Sequence, residues 1–314
     1  MSLSQSPEKD PVPSSRARAI ARGSYDIHVH VAPDIMPRKI DDLGLARRMK
    51  ELGLRGVILK SHYTSTAERA AVVRAVVPEV DTLGAITLNS AVGGLNPLAV
   101  EIAARSGARL VWMPTVDSEN EKRHREHDSG KTPPPFWAKI QDELRAQGMA
   151  TATVPVVDAG GNALPETRAV LKVIAKHDMI LATGHLGREE ILSVVDAALA
   201  EGVKRIVITH PEFPTQSLPV EDQKELAKKG AFLERCFTTP HTGKISWERM
   251  ISIIKEVGPR YSVLSTDLGQ PTNPPVEDGV ALFIDKLLAA GFSEDDLRTM
   301  AVTNSVRLAA KEGR

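Results

Sequence analysis

The chain has one cysteine, no net charge and no long apolar run, and each shortage removes a class of explanation. Cys236, alone among 314 residues, cannot form an intramolecular disulfide, so a reducing, cytoplasmic setting is expected. Lys plus Arg and Asp plus Glu both number 40. With a formal charge of zero, no strong global field draws the chain toward nucleic acid or anionic lipid, and neither is expected as a partner. No stretch approaches the roughly 20 apolar residues that span a bilayer. Residues 1–22 hold Ser, Pro and mixed charges without the apolar core of a secretory signal. They are expected to form a flexible tail, whose last part, from Ser14 to Ala21, could make a short helix.

What the chain does have is alternation. Short β-branched runs alternate with amphipathic stretches, the pattern of parallel strands joined by crossover helices. Eight candidate strands lie near residues 25–31, 56–61, 82–88, 109–114, 180–185, 205–210, 231–237 and 261–267. Eight is the number that closes a (β/α)8 TIM barrel, here expected as a single domain over residues 23–314. Between them, Leu43, Leu45, Ala46, Met49 and Leu52 repeat at helical spacing up to Gly53, a fitting C-terminal stop. Helices are also expected over residues 66–77, 189–200 and 246–257. Residues 115–178, between strands four and five, are too many for an ordinary loop. They read as an insertion with helices near 137–147 and 165–176 and a hairpin near 154–162, placed to form a lid.

Polar residues recur where the apolar runs end. Tyr25-Asp26-Ile27-His28-Val29-His30-Val31 alternates, and residues two apart in a strand share a face, so both imidazoles point one way. His185, His210 and Asp267 close three later runs. The C-terminal ends of barrel strands are where this architecture carries catalysis. Four imidazoles and a carboxylate suit Zn²⁺ and related divalent ions, with a position left open for water or substrate.

The ordered set His-x-His, His, His, Asp resembles the amidohydrolase superfamily. The resemblance runs from Tyr25 to about Ala310 and rests on Asp26-Ile27-His28-Val29-His30, Thr183-Gly184-His185, Ile208-Thr209-His210-Pro211 and Ser265-Thr266-Asp267. Asn304-Ser305-Val306-Arg307-Leu308-Ala309 is similar to the family's closing helix. The resemblance implies a (β/α)8 barrel binding one or two metal ions, Zn²⁺ with Mn²⁺ or Fe²⁺ as alternatives. Its ligands would be His28, His30, His185, His210 and Asp267. It also implies a small-molecule substrate and allows a homo-oligomer. Strand four, Arg109 to Thr115, offers no Lys or Glu to bridge two metals, which leaves the metal count open.

Further residues are candidates for substrate contact. Lys60 and His62 sit two apart at the end of strand two and share a face; Lys60 could be a carboxylated bridge, an anion-binding cation or a surface lysine. Glu234 shares a face of strand seven with Phe232 and Cys236, where an unpaired acid would be costly, so a metal or substrate role competes with a structural ion pair. His241 and Arg188 lie on following loops, and Arg235, with Lys60 and Arg188, hints at an anionic substrate. His124 and His127 fall in a charged run that reads as solvated, and Cys236 reads as a buried, inert thiol.

The chemistry expected first is hydrolysis: metal-bound hydroxide attacks an amide, ester or lactone, and Asp267 shuttles the proton. Three alternatives stand beside it. They are a metal-dependent decarboxylase of the aminocarboxymuconate-semialdehyde type, whose opening the Asp26 to Asp34 stretch resembles, a phosphoesterase, and a metal-binding regulator without turnover.

Overall fold

A computed structural model describes residues 10–127, 136–149 and 152–310. Eight parallel strands lie side by side in chain order: β1 Tyr25–Val29, β2 Gly56–Leu59, β3 Asp81–Thr87, β4 Ala108–Trp112, β5 Ile180–Ala182, β6 Arg205–Ile208, β7 Phe232–Cys236 and β8 Ser262–Ser265. A parallel bridge between Val29 and Leu268 joins the first strand to the segment after the last. His28 O accepts from Asp267 N and Leu268 O from His30 N, both at 2.8 Å. These bonds bring the two ends of the sheet together, and the result is the (β/α)8 barrel expected from the strand count.

Helices cover the outside because each carries one apolar face. In the helix Asp42–Leu52, Asp41 caps the start by accepting from Gly44 N, and Gly53 ends it at φ +70°. Leu45, Ala46 and Met49 point inward to a core that includes Val29, Val57 and Leu59. A second shared core lies on the far side of the barrel, built from Val111, Leu181, Ile208 and Leu233 against the helices Pro165–Lys176 and Arg188–Ala200. The barrel interior is filled by alternate residues of the strands, among them Tyr25, Ile27, Ile58, Leu110, Trp112, Val207 and Val263.

One end of that interior is plugged. Leu308 and Ala309 of the final helix Asn304–Ala309 enter the interior cluster. Asn304 Nδ2 donates to the carbonyls of Pro259, Arg260 and Ser262, and Ser305 Oγ accepts from Tyr25 N at 3.0 Å.

The expected tail ends sooner than the sequence suggests. Residues 1–9 lie outside the described residues, but Ser15–Ala21 is helical and buries Ala17, Ile20 and Ala21. Ser14 caps this helix and also bonds Asp285 at 2.6 and 2.7 Å, so the segment is docked on the barrel. Between β4 and β5 lie the helices Glu119–His127, Phe136–Ala146 and Pro165–Lys176, with an antiparallel bridge from Val157 to Ala163. Among the described residues no helix is long and apolar enough to cross a membrane.

Candidate metal centre

The site begins with an irregularity in β1. Asp26 pairs with Val57 and Val29 with Leu59, so a three-residue step in β1 faces a two-residue step in β2. Such a bulge re-aims side chains. Tyr25 and Ile27 stay in the barrel interior and Val29 turns to the helix side, while His28 and His30 both face Asp267. Asp26 stays behind the site, where its carboxylate accepts from His28 N, Thr266 N and Thr266 Oγ1 and so ties β1 to β8. Burial raises its pKa to about 7 against these bonds.

Asp267 is the meeting point. Its Oδ1 lies 3.2 Å from His28 Nε2 and 3.1 Å from His30 Nε2, and its Oδ2 accepts from Thr238 Oγ1 at 3.2 Å. The ligand atoms of His28, His30 and Asp267 all fall within 4.8 Å of one another. Asp267 adopts φ +53°, an uncommon backbone region for a non-glycine residue, and hydrogen bonds on both flanks hold it there. Burial presses its carboxyl pKa upward, but the neighbouring His28 and His30 outweigh that and leave it well below the usual range.

Glu234 lies beneath His28 and does not line the cavity. Its Oε1 is 3.2 Å from His28 Nδ1 and accepts from Ser265 Oγ at 2.8 Å, while its Oε2 accepts from His210 N at 3.2 Å. Burial alone would raise its pKa; His28, His210 and Ser265 bring it to about 2. The ionised carboxylate accepts a hydrogen bond from His28 Nδ1–H and so turns Nε2 toward Asp267, the usual device for orienting a ligand imidazole. His28, Glu234 and Cys236 form a second compact group, but burial drives the Cys236 thiol well above its ordinary pKa and leaves it protonated.

His185 and His210 stand beside this cluster, with ring centroids 5.1 Å apart and His210 stacked 6.0 Å from His28. Gly184 makes the turn into His185 at φ +62°, in a space where a Cβ would lie 2.3 Å from Met113 O. His185 Nδ1 is 2.9 Å from Glu121 Oε1, in ion-pair range though not aligned as a hydrogen bond. Ser118 Oγ and Asn120 Nδ2 both donate to His185 O. His124 is exposed, as its charged run suggests, whereas Asn120 and Glu121 of the same stretch are buried against His185 and Thr215. The side chain of His127 lies outside the described residues.

Lys60 follows β2 directly and is 1% exposed, so it is no surface lysine. Its Nζ sits 2.9 Å from His28 Nε2 and 4.9 Å from the Trp112 ring centre, and burial chiefly lowers its pKa. His62 Nδ1 bonds Thr115 Oγ1 at 2.9 Å while its ring stacks 5.1 Å from His30. His241 is placed elsewhere: it is exposed, stacked on Phe237, and absent from the described lining of the cavity. Arg188 pairs in solvent with Asp222 and Glu189, and Arg235 is buried on the helix side against Glu212 and Gln223. Neither guanidinium reaches the site.

His30, His62, His185, His210 and Asp267 therefore line a cavity of about 440 Å³ at the C-terminal mouth of the barrel, with His28 buried behind them. Burial holds His30 and His62 well below the ordinary imidazole pKa and His210 at about 3, so these rings are neutral, the form that binds metal. Among the described residues His210 Nδ1 is buried without a hydrogen-bond partner, and two Nε2 atoms converge on one carboxylate oxygen. This donor set fits a divalent cation. Sequence reading missed Glu121, Arg38 and Phe213: Arg38 Nη2 bonds His30 Nδ1 at 3.2 Å, and Phe213 packs 5.1 Å from His210.

The barrel and its mouth define the architectural class. Among solved structures the chain is similar to an amidohydrolase from Pseudomonas aeruginosa, at 14% identity and a TM-score of 0.59 over 93% of this chain and 98% of that one. It is also similar to a probable dipeptidase from the same organism, at 11% identity and 0.57 over 93% and 96%. A third is an enamidase described as a member of the amidohydrolase superfamily, at 14% identity and 0.55 over 91% and 67%. The fold is that of the amidohydrolase superfamily barrels. A family model described as a family of unknown function, DUF6282, matches residues 23–234, and the chain belongs to that family. Among curated proteins none matches.

Proposed function

We propose that this chain is a metal-dependent hydrolase of small amides, esters or lactones, with Zn²⁺ as the resident ion. His28, His30 and Asp267 would hold it together with His185 and His210. The observation that carries this reading is the cluster of His28, His30 and Asp267 opening onto a cavity at the C-terminal end of a barrel. The names of the structural neighbours, an amidohydrolase, a probable dipeptidase and an enamidase, support the same class of chemistry. A bound divalent ion supplies Lewis acidity, acidifying water and polarising a carbonyl oxygen.

The chain's own groups do the remaining work. Asp267, ionised and aimed into the cluster, accepts a proton from the attacking water and returns it to the leaving nitrogen or oxygen. Thr238 Oγ1 holds its second oxygen in place. Lys60 sets a cation beside the reacting centre, where negative charge develops on the carbonyl oxygen. His62, fixed through Nδ1 by Thr115, presents its other nitrogen to substrate. Trp137, on the helix Phe136–Ala146, lines the cavity and supports a lid role for the segment between β4 and β5. Hydrolysis that stops on metal removal and returns with Zn²⁺ or Mn²⁺ is expected; hydrolysis unchanged after complete chelation would contradict this reading.

A further inference from the structure

The cavity walls carry a charge pattern that the ligand cluster does not use. Among its described lining residues Asp267 is the single carboxylate, whereas Arg38, Lys60 and Lys244 are all cationic. Arg38 is compensated, since Asp34 pairs with it at 2.7 Å and both side chains are buried. Lys60 and Lys244 are not: among the described residues no carboxylate comes into ion-pair range of either ammonium. Lys60 is buried and faces the ligand cluster, but Lys244 is exposed at the lip, in the loop after β7, 5.9 Å from the centre of the Phe213 ring. The Phe213 ring also lies 5.1 Å from that of His210, so one aromatic ring touches both the ligand cluster and this cation. Met36, Pro37, Trp137 and Pro271 complete a largely apolar wall.

We infer that the substrate is a small organic acid, with an apolar body packed on Phe213 and Trp137 and a carboxylate, remote from the scissile bond, held by Lys244. This inference rests on the hydrolase reading for the word substrate, but the binding claim stands on the wall alone. A carboxylate meets here a lip cation that lacks an acidic neighbour among the described residues, while the apolar body covers surface that water wets poorly. A neutral analogue keeps the packing and forfeits the ion pair. Lys244 is then a specificity residue rather than a catalytic one, because it lies outside the ligand cluster.

The test uses benzoate, 3-phenylpropionate and 5-phenylvalerate as probes, with 3-phenylpropan-1-ol as the uncharged partner, titrated calorimetrically into purified protein before and after chelation. At least one acid is expected to bind in the millimolar range or tighter, and more tightly than the alcohol. Lys244→Met is expected to weaken the acid about three- to tenfold and remove its salt dependence, Lys244→Arg to restore it, and neither to change the melting temperature. Absence of millimolar binding by every acid, or equal acid affinity in wild type and Lys244→Met, would overturn the inference. Protein that takes up neither Zn²⁺ nor Mn²⁺, yet still loses acid affinity in Lys244→Met, would refute the hydrolase reading and leave this one standing.

Discussion

Glu234→Gln is the substitution that most sharply separates a ligand-orienting network from a merely buried acid. Glu234 is 1% exposed and spends its two oxygens on His28 Nδ1, Ser265 Oγ and His210 N, at 3.2, 2.8 and 3.2 Å. Glutamine keeps the shape and one acceptor oxygen, but it loses the charge and turns an amide NH2 toward a group that donates. At least one charge-assisted bond is lost, and such bonds contribute about 1.5–3 kcal/mol each. That range corresponds to roughly a tenfold to hundredfold change in an equilibrium constant, the same span by which outer partners of ligand imidazoles alter metal affinity. Because Glu234 does not line the cavity, the loss should appear in metal affinity before it appears in substrate affinity. Competition with a chromogenic chelator measures the first, and circular dichroism confirms that the barrel remains folded. A Glu234→Gln protein that is folded and binds metal within twofold of wild type would refute the idea that this carboxylate orients His28.

Two further outcomes concern the frame around the site. Arg235→Met strands Glu212 in the core, and breaking a buried pair in this way costs about 3–5 kcal/mol, read as a lowered urea midpoint; the double variant with Glu212→Gln should recover part of it. Gly184→Ala sets a Cβ 2.3 Å from Met113 O in a left-handed turn, so a loss of about 1–3 kcal/mol is expected from the backbone alone, with a further drop in activity as His185 shifts. Thermal melts and turnover compared side by side separate the two effects.

Much of the site was legible because its residues end apolar runs. His30, Lys60, His210 and Asp267 each lie within two residues of the end of β1, β2, β6 or β8, where a parallel barrel opens. The alternation in β7 likewise put Glu234 and Cys236 on one face with Phe232, which enters the barrel interior. The common facing of His28 and His30 was also foreseen, but its cause is partly hidden. Simple alternation would give Asp26 the same face as the histidines, and the bulge sends Asp26 behind them instead. A bulge is set by pairing with β2, which no local pattern in β1 records.

Other features depend on contacts between distant segments. Glu121 sits in a run of charges that reads as solvated, yet it meets His185, 64 positions along the chain, and Thr215 beyond it. Arg235 reads in sequence as a hint of an anionic substrate, but Glu212 and Gln223 close around its guanidinium in the fold. The segment before Gly23 carries too few apolar residues to announce a docked helix, and its burial depends on the helix Gly279–Ala289. Lys244 and Phe213 lie on loops, where spacing carries no directional information.

The most direct test of the central claim is metal content per chain, measured by elemental analysis on protein purified without added metal, in wild type, His28→Ala and Asp267→Asn. The account predicts about one or two equivalents of a divalent transition metal in wild type, with clear loss in both variants while circular dichroism stays unchanged. Wild-type protein without bound metal that also fails to take up Zn²⁺ or Mn²⁺, or variants that retain the full complement, would contradict it.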